Sequence, residues 1–84
     1  MASYAEWARA RSAQVSVFVS ELGMHMPMGY IGDTTLFNGR PVALYELCQG
    51  HRTYRCMVAP SDRNGAPIVV AADRPALKSD FRVL

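Results

Sequence analysis

The residues best equipped for chemistry lie in three stretches. Met24-His25-Met26-Pro27-Met28 puts three thioethers and an imidazole within five positions. Thioether and imidazole suit Cu(I), and alternate residues of an extended segment can converge on one soft ion. The bland reading is that the methionines fill irregular gaps in a core, as flexible side chains do. Packing is preferred, and a copper binder using Met24, His25, Met26 and Met28 stands as an alternative.

The second stretch holds Cys48, His51 and Cys56, which with His25 make four candidate zinc ligands. Structural zinc sites use paired short spacings such as Cys-x-x-Cys, and one Cys-x-x-His plus a distant Cys falls short of that. Cys48 and His51 also have the types of a nucleophile and its base, because a thiol beside an imidazolium ionises at neutral pH. No third orienting group and no oxyanion-stabilising pattern accompany them. No catalytic residue is therefore assigned, a non-enzymatic protein is expected, and no cofactor is implied.

Third come Arg40, Arg52, Arg55 and Arg63, interleaved with Phe37, Tyr45 and Tyr54. Aromatics on a sheet face stack bases while arginines neutralise phosphate. Against this, no block of like charge occurs, and neither a helix-turn-helix nor an RNA-recognition motif is present. Nucleic-acid association through these four arginines is the runner-up reading.

These residues must be positioned by few elements. Ser3 with Glu6 matches a capping box. Tyr4, Trp7, Ala8, Arg11, Val15, Phe18, Val19 and Leu22 then recur at spacings of three and four. That pattern predicts an amphipathic helix over 4–22, ended by Gly23. The β-branched run Val15-Ser-Val-Phe-Val lowers helix propensity there, but the cap and the continuing period outweigh it. Residues 24–33 read as a connector broken by Pro27, Gly29 and Gly32.

Asn38-Gly39 predicts a type I′ hairpin between 34–37 and 40–48, pairing Leu36 with Pro41. Pro41 donates no ladder bond, which makes the 34–37 strand short or an edge. A second reversal near Gln49-Gly50 puts Ala43, Tyr45, Leu47, Tyr54 and Cys56 on one face. Glu46, Cys48, His51, Thr53 and Arg55 take the other, with Glu46 in reach of Arg55 and the two cysteines on opposite faces. Pro60–Gly65 is a loop, and 67–72 a buried strand. Asp73 and Pro75 fit the start of a short C-terminal helix, and 81–84 a segment packing back on the body or adding a short strand.

The expected fold class is α+β: an N-terminal amphipathic helix packed on an antiparallel β-meander of three to five strands, in one domain over 1–84. The 84 residues are 50% hydrophobic and 19% charged with a net charge of +2. Such a composition excludes a disordered tail, a low-complexity polymer and a disulfide-dense mini-protein. Nothing approaches the roughly 20 apolar residues of a membrane helix, and no basic-then-apolar leader opens the chain. A cytoplasmic location, reduced thiols and no membrane partner are expected. Eight of the nine basic residues are Arg, and eleven Ala accompany them, a bias that suggests GC-rich, bacterial coding. By elimination, the leading expectation is a small protein-interaction or accessory domain, self-association included. Its surface would draw on Tyr4, Trp7, Phe18, Ile68, Val69 and Val70, as an apolar patch or an unpaired edge.

Overall fold

The computed structural model describes residues 3–36, 38–73 and 77–84. One helix, α1 (Tyr4–Arg11), precedes seven strands: β1 (Val15–Val19), β2 (Met24–Pro27), β3 (Gly29–Thr35), β4 (Pro41–Gln49), β5 (Arg52–Pro60), β6 (Pro67–Ala72) and β7 (Phe81–Val83). A 3-10 turn, Lys78–Asp80, leads into β7. Two antiparallel sheets result, ordered β2-β1-β7 and β3-β4-β5-β6. The α+β expectation is overturned, because the chain is mostly strand and its helix is short.

The capping box forms as expected. Glu6 N–H donates to Ser3 Oγ, and Ser3 N–H donates back to Glu6 Oε2, each at 3.2 Å. The helix then stops at Arg11, eleven residues before the expected end. Ser12 N–H closes the last helical turn on Ala8 C=O at 3.1 Å, and Ser12 Oγ–H donates to the same carbonyl at 2.7 Å. Past it, Val15, Val17 and Val19 are buried while Phe18 is exposed, an alternation with the two-residue period of a strand. Gly23 lies in the turn joining β1 to β2, where Gly23 N–H bonds Val19 C=O at 2.9 Å, and not at a helix end.

The expected connector over 24–33 is also strand. Pro27 closes β2 opposite Ser16, Met28 N–H extends that ladder to Val15 C=O at 2.8 Å, and Gly29 opens β3 opposite Glu46. One extended run thus passes from the first sheet to the second at Met28. Gly32 follows a bulge at Ile31. Proline and glycine mark a sheet corner and a bulge here, both places where strands accept them.

The β3–β4 turn differs from expectation by one residue. Leu36 N–H donates to Arg40 C=O at 2.9 Å and Thr35 opposes Pro41, so the loop is three residues long. Asn38 does not take positive φ and Gly39 does, at 84°. A three-residue loop with a left-handed glycine is the next common hairpin solution after type I′. β3 is an edge strand, as Pro41 implied.

The β4–β5 hairpin matches its expected faces. Tyr45 opposes Cys56, Leu47 opposes Tyr54, and Glu46 opposes Arg55. Tyr45, Tyr54 and Cys56 join Val15, Val17, Val19, Val58 and Phe81 in the core between the sheets, with Ala10 of α1. β6 forms over 67–72 and pairs with β5, and β7 returns to pair with β1. The expected helix start at Pro75 lies outside the described residues, as does Phe37. α1 packs across β5 and β6.

Candidate functional site

A cleft of about 870 Å³ opens among three segments far apart in sequence. The first turn of α1 supplies one wall. Tyr4 and Trp7 are three apart, so they share a helix face, and both line the cleft. Tyr4 is 81% exposed, while Trp7 is half-buried and also packs against the core.

The β5–β6 loop supplies the opposite wall. Ser61 N–H donates to Ala66 C=O at 2.8 Å, and Gly65 N–H to Ser61 C=O at 2.9 Å. Arg63 N–H donates to Ser61 Oγ at 3.2 Å, and Ala66 N–H to Asn64 Oδ1 at 3.0 Å. These four bonds set the loop's shape. Gly65 has φ 74°, and a Cβ there would lie 2.5 Å from Glu6 Cδ. The left-handed backbone favours glycine there, and an added Cβ would push the Glu6 side chain aside.

The β3–β4 turn closes the cleft. Asn38 Oδ1 accepts from Arg40 N–H at 3.0 Å. Arg40 Nη2 donates to Pro60 C=O at 2.6 Å and lies 3.6 Å from Asp62 Oδ1. Pro41 and Pro60 add apolar surface to the floor.

Of the four candidate nucleic-acid arginines, Arg40 and Arg63 meet in this cleft and the other two do not. Arg52 pairs with Glu21 at 2.9 Å, and Arg55 Nε donates to Glu46 Oε2 at 2.8 Å. The Arg55 guanidinium is held above its usual range first by that hydrogen bond and then by the carboxylate's charge. The Glu21 carboxyl is lowered by its own backbone N–H and, against desolvation, by Arg52. Glu6 and Asp62 bring two carboxylates to the cleft beside Arg40 and Arg63. Tyr45 and Tyr54 are buried, unavailable to stack a base.

The candidate copper ligands separate. In β2 side chains alternate, and Met26 and Met28 pack on the core while Met24 is exposed. His25 is on the other face, its ring edge-to-face with Phe18 at 5.5 Å. The strand period that aligns Met24 with Met26 excludes His25 from them. Met28 Sδ instead sits 4.0 Å from Cys56 Sγ inside the protein.

The zinc set and the Cys–His dyad are likewise dispersed. His51 occupies the β4–β5 turn, and Cys48 opposes Thr53 in place of the expected His51. The turn falls at Gly50-His51, one residue later than Gln49-Gly50. Cys48 Sγ lies 3.8 Å from Glu46 Oε1 and from Thr53 Oγ1. Burial pushes the Cys56 thiol up to about 12, far from a nucleophile's range. Among the described residues, no three His, Cys, Asp or Glu side chains are grouped to hold a metal ion. Nor is any helix long and apolar enough to cross a membrane.

A second, smaller recess of about 300 Å³ lies over Leu44, Met57 and Ala71 on the second sheet. No protein-family model matches the chain, and comparisons with curated proteins and with solved structures found no match.

Sequence reasoning placed Tyr4 and Trp7 on the apolar face of the helix and among the residues of an interaction surface, and did not bring Asn38, Asn64 or Gly65 to a site. The available signals were the capping box, which predicts an anchored helix start, and the loop composition of 60–65.

Proposed function

We propose that this chain is a small, non-enzymatic protein-interaction domain, acting in the cytoplasm, which holds an extended segment of a partner in the cleft beside α1. One observation carries the reading. Two aromatic side chains and two prolines line an open cleft whose β3–β4 and β5–β6 walls are tied by Arg40, with the Glu6 side chain lying close over Gly65. Rigid, aromatic-lined concavities are where extended segments gain most affinity for the ordering they undergo.

Edge pairing between copies is a weaker form of the same reading. Of the edge strands, β3 carries a bulge, β2 is four residues long and ends in proline, β7 is three residues long, and β6 opens on Pro67 but runs six residues. Short strands, bulges and prolines are the devices by which edges resist pairing. Nucleic acid remains the competing reading, favoured by the meeting of Arg40 and Arg63 and opposed by Glu6 and Asp62 in the same cleft.

The test is selection of displayed random peptides on the folded chain, with amide shifts mapping where the selected peptides bind. Binding that perturbs residues 3–9, 38–41 and 60–66 is expected. Selected peptides that map to the outer face of β1 and β2 or along β3, or a selection that yields no binder, would contradict the reading.

A further inference from the structure

We infer that the segment held in the cleft is proline-rich and in the polyproline II conformation; this rests on the cleft being the interaction site. The inference comes from which hydrogen-bonding groups the loops have already used. Asn38 Oδ1 accepts from Arg40 N–H, and Asn64 Oδ1 accepts from Ala66 N–H. Only an amide oxygen accepts from N–H, so each asparagine keeps its NH2 for another partner. Ser61 Oγ already accepts from Arg63 N–H, leaving its O–H to donate. Among the described residues the Trp7 indole N–H, the Tyr4 hydroxyl and the Arg63 guanidinium make no hydrogen bond or ion pair.

Two carboxylates supply side-chain acceptors, with one oxygen of each engaged and the Asp62 side chain 94% exposed. Glu6 Oε2 takes Ser3 N–H and the side chain lies on Gly65, while Asp62 faces Arg40. What remains is a cleft rich in donors and lined by aromatic rings. Its complement brings acceptors, few donors and apolar rings. Anions fit the first requirement but meet the two carboxylates. A proline-rich segment fits all three: proline has no N–H, its polyproline II carbonyls are not bonded internally, and its rings pack on aromatic faces. Being ordered before binding, it also loses little entropy on docking.

The experiment titrates an uncharged, end-capped polyproline peptide into the full chain, read by fluorescence of Trp7, the chain's single tryptophan, and by amide shifts. Saturable binding is expected, insensitive to salt, with shifts confined to residues 3–9, 38–41 and 60–66. Asn64→Asp keeps the oxygen that Ala66 N–H needs and removes the NH2, and about tenfold weaker binding with a native spectrum is expected. No binding, or equal affinity in Asn64→Asp, would overturn the proposal. Should selected peptides without proline occupy the cleft while polyproline does not, the proline inference falls and the interaction cleft stands. Failure of every selected peptide to reach the cleft removes both. Salt-sensitive binding of a single-stranded oligothymidine there would replace the proposal with nucleic-acid association.

Discussion

The two ends of α1 are held in opposite ways. At its C-terminal end polar groups satisfy one another. The Tyr45 hydroxyl, buried between the sheets, donates to the carbonyls of Ala10 and Arg11 at 3.0 and 2.9 Å. Tyr30 O–H donates to Asp33 at 2.7 Å, and Arg11 Nη2 donates to Tyr30 Oη at 3.3 Å while Arg11 Nε lies 3.3 Å from Asp33. The Tyr30 and Tyr45 rings meet edge-to-face at 5.8 Å, tying the exposed cluster to the core. Helix-end carbonyls lack partners within the helix, and here a side chain from β4 supplies them. At the N-terminal end the capping box satisfies the helix, but Tyr4, Trp7 and the loop amides face the cleft with donors unused. A saturated network fixes an element in place. An unsaturated one on a fixed element is where a partner gains.

Substitutions at the two ends should therefore separate stability from binding. The largest effect is expected from Tyr45→Phe, which keeps the packed ring and removes the donor to two helix carbonyls. Urea unfolding should show a loss of about 1–3 kcal/mol, with polyproline affinity unchanged in the folded fraction. Gly65→Ala should cost about 1–2 kcal/mol for its left-handed backbone and also weaken binding, since its Cβ displaces Glu6 from the cleft wall. This variant would sharpen the contrast by affecting both properties from one position.

The core around Tyr45 is also sensitive to pH. Cys56, opposite Tyr45, is raised by burial from an ordinary value near 9 to about 12. An unfolded chain then loses this proton first as pH rises, so the stability present below pH 9 declines between pH 9 and 12. By pH 10 the loss should reach about 1 kcal/mol, and Cys56→Ala should remove that part of the slope. Tyr45, also raised by burial, adds to the decline above its ordinary value near 10. Asp33→Asn should have the smallest effect. Its pair with Arg11 is exposed, and a slight destabilisation that vanishes in high salt is expected.

How much of this could be read from sequence depended on how far each pattern ran. The β4–β5 hairpin alternates over Ala43–Glu46 and Thr53–Val58, enough to set its faces and bring Glu46 to Arg55. β1 is only five residues long, and Val15, Phe18, Val19 and Leu22 fit a helical spacing as well as they fit anything. Its β-branched composition was the better guide, because packing between two sheets rewards it and the period over so short a run does not discriminate. Pro27, Gly29 and Gly32 looked like breakers because their role, a change of sheet and a bulge, exists only once both sheets are present. The copper set failed for a related reason. Once β2 is extended, His25 must point away from Met24 and Met26. The cleft itself was not legible, since Trp7, Asn38 and Asn64 meet through the docking of α1 and no local pattern records it.

The central claim is that the N-terminal end of α1 binds through donors that the fold does not use. The most direct measurement is the affinity of Asn64→Asp for the uncharged polyproline peptide, followed by Trp7 fluorescence alongside the variant's urea midpoint. The account predicts an affinity about tenfold weaker with the midpoint unchanged. An unchanged affinity, or a loss of affinity only in step with a falling midpoint, would contradict it.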